Sequence, residues 1–222
     1  MVVPWLAEEI RRRKRTDRPL KVAIDGRCAS GKTSLADAIA PRLRPYGFEV
    51  LRPSVDGFHH PKAYRYRQGE YSAAGYYEDA FDYGAVVSFL LQPLSGPQFP
   101  AVCRRASHDV RTDAAIDDVI DVSADAVLLF DGLFLFRCEL NLYWDLRVLL
   151  HVDAETSVVR AVERDAGPDA APDVVRLKYE RRYEPAWQMY CERESPEIKA
   201  DVIIDNCDFA GPRFLKGGPV LL

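Results

Sequence analysis

The stretch Gly26-Arg27-Cys28-Ala29-Ser30-Gly31-Lys32-Thr33 decides the fold of this chain. It fits the phosphate-binding loop pattern G-x-x-x-x-G-K-[ST] at every fixed position. The apolar run at 20–25 predicts a short buried strand before the loop, and the spacing of apolar residues at 33–40 predicts a helix after it. A strand, a glycine-containing loop and a helix N-terminus are the context in which this pattern binds phosphate, so a chance glycine loop is the weaker interpretation.

The loop brings together the groups that hold a nucleotide polyphosphate. Its glycines let backbone N–H groups turn inward, and the dipole of the following helix adds positive potential at the same point. Lys32 is predicted to reach the β- and γ-phosphates and the Thr33 hydroxyl to bind Mg²⁺, so we expect ATP and Mg²⁺ as cofactors. The predicted nucleotide-binding residues are Gly26, Arg27, Cys28, Ala29, Ser30, Gly31, Lys32, Thr33 and Ser34.

Bulk composition favours one globular domain. The chain has 222 residues, of which 48% are hydrophobic, and this share is ample for a packed core. The formal net charge of −4 argues against a general nucleic-acid binder. The basic cluster at 11–15 could touch an acidic partner or RNA, but such a run is more often a solvated helix end. We therefore expect no nucleic-acid partner.

Other features favour a cytoplasmic location without a membrane partner. No secretory signal is visible near residue 1, and the longest apolar stretch, 126–136, is too short to span a bilayer and is interrupted by Asp131. The five cysteines are odd in number and form no C-x-x-C pair, which argues against a disulfide framework or a zinc site. We interpret Cys28 as a small residue that fits the loop rather than as a reactive thiol. Homo-oligomer formation stays open.

Apolar runs elsewhere in the chain alternate with helical patterns. Strands are predicted at 48–51, 126–130, 146–152 and 202–204, and helices at 5–15, 78–91, 156–164 and 173–194, the last broken by Pro185. This alternation implies parallel strands covered by helices on both faces. We therefore predict an α/β class fold: a three-layer P-loop NTPase fold with a mainly parallel sheet and a helical lid.

The same patterns divide the single predicted domain, 1–222, into functional segments. Residues 1–18 are expected to hold an N-terminal helix. The segment at about 57–77, rich in tyrosine and arginine, predicts a long loop on the acceptor side of the site. The segment at about 165–195 predicts the lid, with a hinge near Gly167-Pro168.

Two aspartates stand at predicted strand ends and are expected to face the phosphate loop. Ligands in parallel sheets bind beyond the carboxyl ends of the strands, so Asp56, Asp131 and the loop should meet in one crevice. Asp56 is the candidate base for an acceptor hydroxyl and a candidate metal ligand. Asp131 is the candidate that holds Mg²⁺ with Thr33, directly or through water. Arg164, in the helix before the lid, could clamp the phosphates.

These features separate a kinase from the other users of phosphate loops. GTPases usually carry an NKxD or TKxD signal for guanine, and the sequence contains neither. A general ATPase would place a Glu beside the strand-end Asp to activate water, whereas Gly132 occupies that position. Kinases for small hydroxylated substrates instead need a base, Mg²⁺, cationic side chains and a lid that excludes water.

In these features the chain resembles the uridine kinase and phosphoribulokinase family of P-loop kinases. The residues that carry the resemblance are 24–33, Asp56-Gly57-Phe58-His59, Asp79-Ala80-Phe81-Asp82, Leu128-Leu129-Phe130-Asp131-Gly132, Arg164-Asp165 and Ala200-Asp201-Val202-Ile203-Ile204. The resemblance implies transfer of the γ-phosphate of ATP to a hydroxyl of a small molecule. It matches Asp56 to the catalytic base, Asp131 to the strand-end acid, and Thr33 to the magnesium-binding hydroxyl. Arg164 matches the arginine that opens the lid, and with Asp56 and Lys32 it completes the predicted catalytic set.

The acceptor side departs from the uridine kinase pattern. The acidic residue that grips the ribose in that family falls on Tyr76, and the Tyr-Asp pair near the base pocket falls on about Val102-Cys103. His59, Tyr64, Arg65, Tyr76 and Tyr77 offer stacking faces and donors that suit a flat ring or an anionic group. The predicted acceptor-binding residues are His59, Tyr76, Tyr77, Arg104 and His108.

Two functions from different classes follow. The first is a nucleoside-kinase-like phosphotransferase, with pantothenate, a sugar or a sugar phosphate as alternative acceptors. The second is a nucleotide-binding regulatory protein that has kept the loop and lost phosphotransfer.

Overall fold

A computed structural model describes residues 1–168 and 170–219. Position 169, in the predicted lid, and 220–222, the end of the predicted domain, lie outside the described residues. The strands are β1 Leu20–Gly26, β2 Val50–Leu51, β3 Ala101–Arg104, β4 His108–Asp109, β5 Ala114–Ala115, β6 Val119–Val122, β7 Val127–Gly132, β8 Leu146–His151, β9 Val202–Asp205 and β10 Arg213–Lys216.

Helices connect the strands. They are α1 Val2–Arg13, α2 Lys32–Leu43, α3 Lys62–Arg65, α4 Ala73–Asp79, α5 Tyr83–Val86, α6 Cys138–Asn141, α7 Ala154–Asp165, α8 Pro172–Lys178, α9 Glu184–Glu194 and α10 Pro196–Lys199, with π-helical turns at Val87–Leu91 and Tyr179–Tyr183. Among the described residues, no helix combines the length and apolar character that a bilayer crossing requires.

The main sheet has the strand order β10-β9-β8-β1-β7-β2. All neighbouring pairs are parallel except β9 with the edge strand β10. The central strands β1 and β7 are buried along their whole length, which explains their nearly continuous apolar sequences. The β1–β7 register pairs Ile24 with Asp131, so the strand-end aspartate lies beside the start of the phosphate loop.

Helices cover both faces of this sheet. On one face, α1 and α2 bury Leu6, Ile10 and Ile39 against β1 and β8. On the other face, an aromatic core that includes Phe130 and Tyr190 packs the sheet against α4, α5 and α9. This arrangement confirms the predicted three-layer α/β P-loop NTPase fold with a mainly parallel sheet.

Local predictions differ from the structure where side-chain capping or a helical irregularity intervenes. The predicted helix at 78–91 is divided, because the Asp82 carboxylate accepts a hydrogen bond of 2.8 Å from the Ala85 N–H and starts α5. The predicted break at Pro185 is absent. Helical structure continues from α8 to α9 through the π-helical turn, and Pro185 lies in the first turn of α9, where proline is tolerated.

The sequence patterns also missed an antiparallel ribbon. Strand β3 pairs with β6, and neither strand is among those predicted from the sequence. Val102 is exposed and Cys103 is buried, so the strand is half-covered and its apolar signal is short. This ribbon and the β4–β5 pair stand outside the main sheet, on the acceptor side.

The basic cluster is neutralised by its own neighbours. In α1, Arg11 pairs with Glu8 at 2.5 Å, while Arg12 and Arg13 pair with Glu9 at 3.0 and 2.7 Å. These are helix-surface pairs of the i,i+3 and i,i+4 type. They fit the interpretation of the cluster as a solvated helix end.

A buried carboxylate ties β1 to the helix that closes the opposite face. Asp25 is fully buried and accepts hydrogen bonds from the Gly26 N–H (2.7 Å), the Leu135 N–H (3.0 Å) and the Tyr190 hydroxyl (2.5 Å). The Tyr190 oxygen accepts in turn from the Phe136 N–H at 2.9 Å. Burial outweighs these donors and raises the pKa of Asp25 to about 6.

We expect this carboxyl to make folding depend on pH. Below about pH 4, Asp25 is protonated in both states. Above about pH 6, the folded protein holds a buried charge that the unfolded chain exposes to water. Relative to Asp25→Asn, the free energy of unfolding of the wild type should therefore fall by about 3 kcal/mol as pH rises through this window. Denaturant unfolding of both proteins at several pH values measures this change in the free energy of unfolding.

The exposed Asp121→Asn provides the control, and its difference from wild type should stay nearly constant over the same range. A difference between wild type and Asp25→Asn that does not change with pH would contradict the assignment.

Candidate active site

The phosphate loop adopts a conformation that depends on two glycines. Gly31 has a φ of 93° and begins α2, and a Cβ atom at this position would lie 2.8 Å from the Asn206 amide nitrogen. Gly26 has a φ of 155°, and its Cβ would lie 2.6 Å from the Leu150 carbonyl oxygen. Both positions therefore disfavour any larger residue, as the sequence pattern requires.

Neighbouring elements hold the loop in this shape. The Asn206 side-chain amide donates to the Ser30 carbonyl oxygen at 2.7 Å, and the Ser157 hydroxyl donates to the Cys28 carbonyl oxygen at 2.7 Å. Burial raises the pKa of the Cys28 thiol, in line with a small residue that fits the loop. The loop is thus pre-shaped by contacts from α7 and from the segment after β9.

Lys32 places its ammonium group inside the loop. The residue is 8% exposed, and Nζ donates to the carbonyl oxygens of Gly26 (2.9 Å) and Arg27 (2.5 Å). Burial lowers the pKa of Lys32. Both hydrogen bonds are to carbonyl oxygens, and no ion pair within residues 1–168 and 170–219 includes this ammonium. Its charge is therefore available to a phosphate group.

Thr33 and Asp131 face each other across the end of the sheet. The Thr33 hydroxyl donates to an Asp131 carboxylate oxygen at 2.6 Å, and Asp131 is 3% exposed. Arg52 donates to the other oxygen of Asp131 at 3.1 Å and to the Leu129 carbonyl oxygen at 2.8 Å. A hydroxyl and a carboxylate are hard oxygen donors, so this pair fits Mg²⁺.

Asp56 lies in a 3₁₀ turn at Val55–Phe58. This turn follows β2, the edge strand that pairs with β7. The Ser54 hydroxyl caps the turn by accepting from the Asp56 N–H at 3.3 Å, and Ser54 bridges to Asp131 in parallel register. The Asp56 side chain is exposed to the adjoining cavity. The turn thus places the Asp56 carboxylate in the crevice that Asp131 also lines.

One cavity of about 360 Å³ joins the loop to these carboxylates. Nine of the predicted site residues line it: Cys28, Ala29, Lys32, Thr33, Asp56, His59, Tyr76, Asp131 and Arg164. The structure therefore brings together both predicted carboxylates, the loop lysine and the lid arginine.

The part of this cavity around His59 and Tyr76, which were predicted to bind the acceptor, has aromatic walls. The His59 ring nitrogen lies 3.0 Å from the Asp56 carbonyl oxygen, and the ring packs against Phe81 with centroids 4.5 Å apart. Tyr76 lies 4.6 Å from Tyr183, centroid to centroid. Burial lowers the pKa of His59 and raises that of Tyr76 well above its usual value, so both side chains favour the neutral form.

The end of α7 and the segment predicted as the lid also contribute side chains to the cavity lining, among them Arg164, Tyr179 and Arg182. Arg164 lies at the end of α7, where its guanidinium pairs with Asp165 at 2.7 Å and approaches the Tyr179 hydroxyl at 3.4 Å. The ion pair with Asp165 raises the pKa of Arg164. Arg27 of the loop pairs with Glu184 of α9 at 2.8 Å, which links the phosphate loop directly to the lid segment.

Two predicted acceptor residues lie away from the cavity. Tyr77 is 2% exposed and packs on Phe134 with centroids 5.2 Å apart, because it stands one position after Tyr76 on α4 and faces the core. Arg104 lies on the β3–β6 ribbon, where it pairs with Asp117 at 2.9 Å and covers the Phe89 ring at 4.4 Å. Neither side chain is among those that line the cavity.

His108 also lies behind the cavity wall rather than in it. It is buried, and its ring nitrogen lies 3.0 Å from an Asp113 carboxylate oxygen. The same oxygen accepts from the Lys62 N–H at 2.7 Å and from Arg65 at 3.3 Å. His108 therefore reaches the cavity only through Asp113 and Arg65.

Sequence reasoning missed two arginines of the site. Arg52 follows β2 and pairs with both Asp37 and Asp131, at 3.0 and 3.1 Å. Arg182 lines the cavity from the π-helical turn of the lid. The sequence around Arg182 is rich in tyrosine and arginine, but its pattern is that of an ordinary charged helix. Only the packing of this turn shows which arginine side chain lines the cavity.

A second, apolar cavity adjoins the loop at Gly31 and Ser34. It is lined by Gly31, Leu35, Ile204, Phe209 and other residues from α1, α2 and the segment after β9. Arg160 of α7 lies over the Phe209 ring at 5.5 Å. This cavity offers flat apolar surface next to the start of α2.

Known proteins with kinase names resemble this chain. No protein-family model matches it. Uridine-cytidine kinase B from Dictyostelium discoideum is 28% identical over 191 residues, which cover 84% of this chain and 74% of that protein. A solved structure described as a possible uridine kinase from Bacillus stearothermophilus is 25% identical, has a TM-score of 0.70, and covers 90% of this chain and 96% of its own.

Phosphoribulokinase from Rhodobacter spheroides shares the fold, with a TM-score of 0.56 at 15% identity, over 86% of this chain and 71% of that one. These similarities agree with the loop, the paired strand-end acids and the lid. Together they show that the chain is similar to P-loop kinases with uridine kinase names and shares its fold with phosphoribulokinase, and they support an ATP-dependent phosphotransferase with an alcohol group as acceptor.

Proposed function

We propose that the chain transfers the γ-phosphate of ATP to a hydroxyl of a small molecule that binds between Asp56 and the aromatic wall. The observation that carries this proposal is one cavity that is lined by Lys32, Thr33 and Asp131 and also by Asp56 and Tyr76. A nucleotide phosphate tail on the loop and an acceptor at the wall would then meet beside one free carboxylate.

The nucleotide half of the proposal depends on the loop and the apolar cavity. The loop amides and the Lys32 ammonium would hold the phosphates, while the surface near Leu35 and Phe209 suits a flat purine ring. Thr33 and Asp131 would hold Mg²⁺. Asp131 would do so directly or through water, because one of its carboxylate oxygens already accepts a hydrogen bond from Arg52. When bound, Mg²⁺ neutralises charge on the β- and γ-phosphates.

The acceptor half depends on Asp56. Its carboxylate would accept the proton of the attacking hydroxyl, and Arg164 would swing from Asp165 toward the transferring group. The lid helices would exclude water, so that the hydroxyl of the acceptor rather than water is phosphorylated.

The relatives with uridine kinase names favour a nucleoside-like acceptor, and the stacking faces of His59 and Tyr76 support a flat ring. A regulatory nucleotide-binding protein is the second candidate, because Tyr76 replaces the acid expected to grip a ribose. An assay of ADP release from ATP, with nucleosides, pantothenate, sugars and sugar phosphates as acceptors, distinguishes the kinase from the regulatory protein. Stimulation by an acceptor supports the kinase, and no stimulation by any of them supports the second candidate.

We also propose a cytoplasmic location. All five cysteines are free thiols, including the buried Cys103 and the exposed Cys138. Free thiols are usual in a reducing compartment. Fractionation of cells that produce the protein tests this proposal, and recovery outside the cytoplasmic fraction would contradict it.

We expect Asp56→Asn to lower kcat about 10²- to 10⁴-fold, because the amide cannot accept the hydroxyl proton. Calorimetric titration should show that Mg·ATP still binds, since Asp56 lies beyond the phosphate loop. Asp121→Asn, an exposed carboxylate on β6, serves as the matched control and should keep normal turnover. Near-normal phosphotransfer by Asp56→Asn would disprove its role as base.

We expect Asp131→Asn to raise the Mg²⁺ concentration for half-maximal activity about 10- to 100-fold, because one carboxylate is lost beside Thr33. A magnesium titration at fixed ATP measures this. Asp37→Asn removes the exposed partner of the same Arg52 and is the control, with less than about a twofold expected effect. An unchanged magnesium dependence in Asp131→Asn would rule out its metal role.

A further inference from the structure

Two buried arginines form one end of the acceptor cavity. Arg182 is 2% exposed and Arg65 is 8% exposed, and both line the cavity with Tyr66 and Tyr76. Side chains of this charge are almost never fully buried unless they are paired. Their partners therefore indicate what the cavity is built to hold.

Among the residues that the structure describes, Arg182 has no acidic partner. Its Nη1 donates to the carbonyl oxygens of Gly69, Glu70 and Ser72, with the shortest contact, to Glu70, at 2.8 Å. The guanidinium also lies over the rings of Tyr66 (4.7 Å) and Tyr76 (5.0 Å). Nη2 lies 3.5 Å from the Arg65 carbonyl oxygen. Nε is buried and has no hydrogen-bond partner among the described residues.

Arg65 is only partly compensated. Its Nη2 lies 3.3 Å from Asp113, whose same oxygen also accepts from the Lys62 N–H and contacts His108. The Arg65 Nε is likewise buried without a partner. Across the described part of the chain, the two guanidiniums thus have one carboxylate partner in total, Asp113 beside Arg65, and that carboxylate also accepts from other donors.

Carbonyl dipoles and ring faces lower the cost of burying a cation but leave its charge in place. A neutral acceptor would leave this end of the cavity with excess positive charge. A carboxylate or phosphate group would neutralise it and would occupy the spare N–H donors in the planar geometry that guanidinium groups prefer.

We infer that the acceptor carries an anionic group, a phosphate or a carboxylate, which binds between Arg65 and Arg182 while its hydroxyl faces Asp56. This inference rests on the proposed function and narrows its acceptor class. The aromatic wall of Tyr66 and Tyr76 then packs against the carbon skeleton. Arg182 is an acceptor-binding residue in this arrangement, and its contacts to 69–72 also order the acceptor loop.

Matched acceptor pairs test the charge requirement. The wild type is assayed with ribose 5-phosphate against ribose, glycerate against glycerol, and uridine as a neutral ring. We expect at least one charged compound to exceed its neutral partner by tenfold or more in kcat/KM. The pair that responds distinguishes phosphate from carboxylate. A neutral compound that matches or exceeds the charged ones would overturn the inference.

The variant Arg182→Gln should lower that charged-to-neutral ratio about tenfold or more, mainly through KM. Its exposed neighbour gives the matched control, Arg181→Gln, which should keep the wild-type ratio. An equal loss for both members of a pair would mean that Arg182 is only structural, against our inference. If Arg182→Gln does not fold, Arg65→Gln is measured in the same way.

Binding separates this inference from the proposed function. With a non-hydrolysable Mg·ATP analogue filling the phosphate loop, the same pairs are titrated by calorimetry. Absence of turnover with every acceptor would count against the kinase proposal, whereas preferential binding of a charged compound would still support the anion site. Equal binding of charged and neutral members would refute the anion site, whatever the turnover.

Discussion

The 2.6 Å hydrogen bond from the Thr33 hydroxyl to Asp131 joins the phosphate loop to the end of the neighbouring strand. It depends on the parallel register of β1 and β7, which sets Asp131 beside Ile24 just before the loop begins. The next strand, β2, then leads to Asp56 through a short turn that bridges to Asp131. One register therefore positions a hydroxyl, a carboxylate and a candidate base at the same sheet edge.

Four cationic side chains line the crevice together with Asp56. We propose that Lys32 and Arg164 face the nucleotide phosphates, and that Arg65 and Arg182 hold the anionic group of the acceptor. Under this proposal, the phosphoryl group and the acceptor are bound in one crevice with the reacting hydroxyl beside the base, which is the arrangement that orientation-dependent catalysis needs.

Much of this organisation could be predicted from the sequence, because it depends on local patterns. The loop is contiguous in the chain, and Asp131 follows a continuous apolar run, so the parallel-sheet rule was enough to bring them together. Tyr77, Arg104 and Arg182 could not be assigned this way, because helix phase, an undetected ribbon and a π-helical turn decide which side chains face the cavity. The break predicted at Pro185 was wrong for a similar reason. Helical structure continues through the preceding π-helical turn, and Pro185 falls in the first turn of α9, where proline is tolerated.

The central claim is that the loop amides and Lys32 hold a triphosphate in front of both carboxylates. A crystal structure with a non-hydrolysable Mg·ATP analogue tests it most directly. We predict the phosphate tail along 26–33, the metal beside Thr33 and Asp131, and the terminal phosphate facing Asp56. A nucleotide bound elsewhere, or Asp56 turned away from the terminal phosphate, would contradict the account.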